Sequence, residues 1–247
     1  MQDYIEVTDN YDRGSYARSA TRRAATPLAS AMTGVYTWMA AALCITAAVA
    51  YITIASPTML QLIYGNAAAI WVLVIAELAL VMGISGGINR LSPTTATVLF
   101  LVYAAVNGLT LSSIFFVYTA GTIAQAFAAS ALTFGGMSLV GATTKRDLSG
   151  MGGMLVMGLI GLIVASVVNM FWANSMLDTI ITYIGVFIFV GLTAYDTQKI
   201  KAMMAHAEAY GDAAAPRRVA IVGALSLYLD FINLFLYILR LFGRSRD

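Results

Sequence analysis

Leu225-Ser226-Leu227-Tyr228-Leu229-Asp230-Phe231-Ile232-Asn233-Leu234-Phe235-Leu236 lies inside an apolar run that extends from Val219 to Leu241. A run of that length suits a helix across a ~30 Å hydrocarbon core, which takes ~17 to 25 residues. An aspartate at its centre costs roughly 2.5 to 3.5 kcal/mol on insertion scales, so such a group faces a bundle interior, a water-filled cavity or a partner. Projected at 3.6 residues per turn, Gly223, Ser226, Asp230, Asn233 and Tyr237 form one polar stripe. The stripe is expected to point into a bundle, with the Leu, Ile and Phe faces turned to lipid or to apolar neighbours.

Working outward, further apolar runs lie at about 32–55, 67–88, 96–118, 124–140, 151–171 and 179–195. They are separated at Ser56-Pro57, Leu91-Ser92-Pro93, Gly121, Lys145-Arg146-Asp147, Asn174-Ser175 and the polar stretch from Lys199 to Arg218. The expected fold is an all-α membrane protein with seven transmembrane helices in one domain over 32–243. A polar tail, 1–31, precedes it and a short basic tail, 244–247, follows. The runs are too long, and lack the alternation, for the strands of a membrane barrel. With 60% hydrophobic and 11% charged residues and a mean hydropathy of +0.81, a soluble domain is excluded, since those carry about 25% charged residues. A net charge of +2 gives no reason to expect nucleic acid. The single cysteine, Cys44, excludes an intrachain disulfide and a cysteine metal site. The tail has four acids and four arginines and no signal-peptide core, so the first span is expected to serve as its own insertion signal.

Arg18, Arg22, Arg23, Arg90, Lys145, Arg146, Lys199, Lys201, Arg217 and Arg218 fall on one side of seven crossings, and the opposite connections carry only Asp178. The positive-inside rule then puts the N-terminus in the cytoplasm. Arg240, Arg244 and Arg246 conflict with an exterior C-terminus, which leaves a re-entrant last segment as the alternative to a full crossing. Ala79, Gly83 and Gly87, and the glycines at 135, 136, 152, 153, 158 and 161, read as close-packing positions. Asn107, Asn169 and Asn233 read as interhelical hydrogen-bonding residues, and His206 as a solvated side chain of the polar stretch.

Two further acids sit in the spans. Asp196, in Ala194-Tyr195-Asp196-Thr197-Gln198-Lys199-Ile200, closes span six and has Lys199 at i+3, so a surface ion pair competes with a functional reading. By these boundaries it lies ~16 Å from the level of Asp230, and the two meet only if span six tilts, starts late or continues beyond Asp196. If they meet, they share a proton and form a pH switch. Glu77, midway along span two, reads as lining a polar pathway, and Arg90 at the end of that helix as a latch for a carboxylate or as a snorkelling residue.

These stretches, together with Asn107-Gly108-Leu109-Thr110 and Lys145-Arg146-Asp147-Leu148-Ser149, resemble the Bax inhibitor-1 family and in particular its bacterial members, over roughly residues 30 to 243. The resemblance implies six helices around a central seventh. It also implies a pH-sensitive calcium leak controlled by an aspartate pair, matched here by Asp196 and Asp230. Arg90 lies about two positions beyond the family's latch position as measured from Glu77, where Ile88 stands nearer. The family also includes bacterial proteins that bind a membrane-anchored AAA protease.

Catalysis is not expected. An intramembrane aspartyl protease carries Gly-x-Gly before its second aspartate, where this chain has Leu227-Tyr228-Leu229, and no proline follows Pro216. A serine protease reading of Gly83-Ile84-Ser85-Gly86 lacks a base within the membrane, and a retinal protein needs a lysine that no span contains. The reading is therefore a Ca²⁺ leak gated by Asp196 and Asp230. Glu77, Arg90, Asn233, Ser226 and Tyr237 are the candidates for pathway or latch, and the two aspartates would hold Ca²⁺ transiently, since a hard cation wants six to eight oxygens. No cofactor is expected beyond the transported ion. The alternative is a non-catalytic regulator docked on a membrane complex such as an AAA protease. The expected setting is the lipid bilayer of a bacterial cytoplasmic membrane, as a monomer or weak oligomer.

Overall fold

A computed structural model describes residues 32–87, 90–209 and 215–244 of the chain. The polar tail 1–31 and residues 245–247 lie outside the described residues. Among those described, the elements are α1 (Met32–Ala55), α2 (Pro57–Tyr64), α3 (Ala67–Gly87), α4 (Pro93–Leu111), α5 (Ile114–Val117), α6 (Ala120–Thr143), α7 (Ser149–Trp172), α8 (Ser175–Ala209) and α9 (Ala215–Arg244). Seven stretches are long and apolar enough to cross a membrane, with α4 and α5 counted as one, Pro93–Val117.

The expected breaks at Ser56-Pro57, at Leu91-Ser92-Pro93 and at Gly121 turn out to be helix starts. The Oγ of Ser92 accepts from the Thr95 N–H with Pro93 in the first turn, and Thr119 caps α6 through the Thr122 N–H. Both satisfy donors that a helix N-terminus leaves orphaned. Span three therefore begins at Pro93 rather than 96, and Gly121 is helical rather than a break. Ser56-Pro57 starts an extra short helix, α2, in what reads from sequence as a plain connection.

The larger correction concerns the stretch 199–218. Much of it is helix: α8 runs on through Lys199 and His206 to Ala209, and α9 begins at Ala215. His206 is an exposed helical residue, not a loop residue. From Ala215, α9 continues unbroken to Arg244, so it has the length of a full crossing and no re-entrant turn.

α9 is the central helix. Over its most apolar window 67% of residues are buried, against 6% for α3 and 11% for α7. Leu225, Leu227, Tyr228, Phe231 and Leu234 are all buried and cover about half of the circumference, while Val222, Ser226, Leu229, Asn233 and Leu236 form a half-buried stripe on the other side. α4, α6 and α8 pack on it. Phe127 and Phe134 of α6 meet Phe231 edge-on at centroid distances of 5.3 and 5.5 Å. The outer helices turn Trp71, Ile75, Met82, Met157 and Phe171 outward, an apolar belt suited to acyl chains.

Glycine sets two of the close approaches. A Cβ at Gly141 of α6 would run into the Ala194 carbonyl of α8, and one at Gly152 of α7 would run into the Tyr195 ring. The small-residue stripe on span two is different: Gly83 has nothing within 4 Å of its Cβ position, and the same holds at Gly135, Gly136, Gly153 and Gly161. Those positions do not bring helices of this chain together.

Candidate functional site

α8 and α9 are antiparallel neighbours whose register is fixed at two levels. Gly185 lies against the Tyr237 ring and Gly223 against Ile200, at 2.7 and 2.9 Å from the respective Cβ positions. Interpolation puts Asp196 level with Ser226 and Leu227, so it stands about one turn, ~5 Å along the axis, from Asp230. The two are brought together because α8 continues beyond Asp196, the last of the three routes open to the sequence. Asp230 is 5% exposed, and Asp196, half-buried, is the charge that reaches it. On its other side Asp196 feels Lys199.

Around this pair lie polar atoms without partners. Among the described residues Asp230 Oδ2, Thr197 Oγ1 and Ser138 Oγ are buried and make no hydrogen bond. Thr197 adjoins Asp196 in sequence. Ser138 is one turn along α6 from Phe134, which packs on Phe231, and this puts it near the level of Leu227. Orphaned polar atoms are rare in native interiors, and three within about one turn along the bundle axis mark places where water completes the bonding.

A second polar group lies elsewhere on α9. Tyr228 is two residues from Asp230 and hence ~200° around the helix. Its hydroxyl donates to Asn107 Oδ1 at 3.0 Å and meets Thr46 Oγ1 at 2.6 Å. Thr46 also contacts the Ala104 carbonyl at 2.8 Å. Glu77 joins this group: Thr110 Oγ1 donates to its Oε1 at 2.7 Å, and the Asn107 side chain bonds it too. A Cβ at Gly108 would stand 2.7 Å from the Thr46 carbonyl oxygen, so glycine permits the α1–α4 approach on which the network depends.

The structure thus groups Glu77 with Tyr228 rather than with the aspartates. Asn233 turns its amide to the Leu229 carbonyl of its own helix at 2.8 Å, and Ser226 is half-buried beside the level of Asp196. Tyr237 stacks on Phe189 at 5.8 Å under Arg240, toward the far end of α9. Arg90 is exposed in the turn after α3, and its side chain bonds no described residue. Asn107 does bond across helices, whereas Asn169 accepts from the Asn174 N–H and shapes the α7–α8 turn. No group of three His, Cys, Asp or Glu side chains gathers among the described residues, so the aspartates offer a cation at most four carboxylate oxygens.

Sequence reasoning passed over Tyr228. A buried tyrosine needs a hydroxyl partner, and the mid-span positions of Thr46 and Asn107 were the available signal.

A family model described as "Inhibitor of apoptosis-promoting Bax1" matches residues 28–247. The chain is 51% identical over 215 residues to the inner membrane protein YbhL of Escherichia coli K12, covering 87% of this chain and 92% of that one. A protein of Borreliella burgdorferi is 46% identical over 213 residues, 86% of this chain and 91% of its own. One of Caulobacter vibrioides is 38% identical over 252 aligned positions, 97% and 100% of the two chains. Seven apolar helices and these likenesses make the chain an integral protein of the inner membrane. It belongs to the Bax inhibitor-1 family.

Proposed function

We propose that the chain is a pH-sensitive cation leak, with Ca²⁺ the conducted ion and Asp196 and Asp230 the gate between α8 and α9. The observation that carries this reading is the buried, unpartnered Oδ2 of Asp230 beside a second carboxylate. Two buried carboxylates so placed cannot both ionise cheaply, so one proton stays with the pair. Two full charges ~5 to 10 Å apart on neighbouring helices would repel by about 1.5 to 3 kcal/mol at an effective dielectric of ~20, enough to shift a two-state equilibrium by roughly ten- to a few hundredfold. Proton number therefore selects the separation of α8 and α9. The orphan hydroxyls of Ser138 and Thr197, with backbone carbonyls and water, supplement the carboxylates for a passing ion. Weak, incomplete coordination favours transit over storage. The basic side of the bundle faces the cytoplasm, and with it the N-terminus.

Ca²⁺ flux into proteoliposomes tests the reading. Wild type is expected to exceed empty vesicles and to vary over roughly pH 5 to 8, and Asp230→Asn to change that flux while leaving copurification of an AAA protease unaltered. No flux above empty vesicles at any pH overturns the leak and leaves the regulator of a membrane complex as the account.

A further inference from the structure

At the basic face, between the end of α6 and the start of α7, a cavity of ≈ 660 Å³ opens against the last turns of α8, lined by Lys145, Arg146, Lys199 and His206 among others. Its one acid is Asp147, which accepts from the Ser149 N–H at 2.9 Å and so is engaged at the start of α7. The walls are fixed. Gln198 Nε2 donates to the Arg146 carbonyl and its Oε1 accepts from the Leu148 N–H, both at 2.8 Å, which ties the 144–148 turn to α8. Tyr195 is wedged against Gly152, and the Lys199 ammonium lies 5.7 Å from the Tyr195 ring centroid.

A positive-inside bias asks only that basic residues lie on one face; it does not ask that three cations converge on one preformed cavity. Arg217, on the same face, lines a different cavity with no second cation. The converging set sits at the depth where the spans of α6 and α7 end, which is headgroup level, and Met203 and Val219 add apolar wall. A guanidinium and two ammonium groups with one engaged carboxylate match a phosphodiester anion. We propose that this cavity holds the phosphate of an anionic phospholipid headgroup, clamped by Lys145, Arg146 and Lys199.

A consequence follows that rests on the aspartate-pair reading. Lys199 stands three residues from Asp196 on α8, one turn along the same face, and its charge reaches that carboxyl, so a bound phosphate competes with Asp196 for it, and anionic lipid modulates the leak.

Binding is measured first, without reference to flux. The full chain in detergent is titrated with phosphatidylglycerol, phosphatidylcholine or inorganic phosphate while its melting temperature is followed. Phosphatidylglycerol is expected to stabilise and phosphatidylcholine not to. Lys145→Gln with Arg146→Gln should weaken the phosphatidylglycerol affinity more than about tenfold, at roughly fivefold per charge, Lys199→Gln about fivefold, and Arg217→Gln not at all. Equal effects of the two lipids, or equal weakening by Arg217→Gln, overturn the site. Equal stabilisation by inorganic phosphate reassigns it to a soluble anion and overturns the lipid. Flux in phosphatidylcholine vesicles with and without phosphatidylglycerol then tests the consequence. Intact binding with flux indifferent to the lipid overturns the link to Asp196 and leaves the aspartate gate standing.

Discussion

Replacing Tyr228 by phenylalanine deletes one oxygen from the centre of the bundle and leaves the ring, fully buried, in its edge-on contacts with Phe100 and Tyr103 at 5.7 Å. The hydroxyl's single proton goes to Asn107 Oδ1, so the variant leaves a buried acceptor one donor short, while Thr46 retains the Ala104 carbonyl at 2.8 Å. Interhelical hydrogen bonds in membranes average ~0.6 and reach ~1.7 kcal/mol, and an unsatisfied buried group costs about 1 to 3 kcal/mol. A loss of about 2 kcal/mol follows. At ~2 to 4 °C per kcal/mol for a chain of this size, the melting temperature in detergent, followed by circular dichroism, should fall by roughly 4 to 8 °C. Thr46→Val alone and combined with Tyr228→Phe completes a cycle, and the double variant should lose less than the sum of the singles. Melting within about 1 °C of wild type, or strictly additive losses, would refute the network as a unit.

Gly141→Ala drives a Cβ into the Ala194 carbonyl and should cost about 1 to 3 kcal/mol, the usual range for overpacking, whereas Gly136→Ala, in open space, should melt like wild type. Gln198→Ala removes both bonds that hold the 144–148 turn, so trypsin should cut after Lys145 and Arg146 faster than in wild type; unchanged cleavage counts against the tie. Hydrogen bonds from the Ser149 hydroxyl and then its N–H hold the Asp147 carboxyl below the usual range. A depressed carboxyl contributes above its unfolded pKa and loses that contribution only as pH falls through its folded value, so its state is constant over about pH 5 to 8. Asp147→Asn should therefore leave the midpoint of the pH-dependent flux in place, and a displaced midpoint would implicate the loop in sensing.

Span number was legible because hydropathy registers twenty-residue runs directly, and α1, read as ending at 55, ends at Ala55 in the structure. The ends were harder where polar residues belong to helices. Lys199, Lys201 and His206 look like loop by composition, yet Ile200 and Met204 between them are buried against the bundle and carry α8 on to Ala209. That extension brings Asp196 within about a turn of Asp230, so the site depended on the element least readable from hydropathy. The stripe through Asp230 was visible as a period, but its burial was not: Gly223 and Asp230 are buried, whereas Ser226, Asn233 and Tyr237 stand half-buried and the Leu and Phe faces turn inward. The role of Tyr228 was not, because its partners come from α1 and α4, 182 and 121 residues away. Small-xxx-small spacing failed at Gly83 since spacing shows where a helix could approach, not whether one does.

The central claim is that Asp196 and Asp230 act as one group. Ca²⁺ flux across roughly pH 5 to 8 in proteoliposomes holding wild type, Asp196→Asn, Asp230→Asn or the double variant tests it most directly. The account predicts that each single change abolishes the pH dependence and that the double variant behaves like either single one. Independent, additive effects, or a pH profile that survives Asp230→Asn, would contradict it.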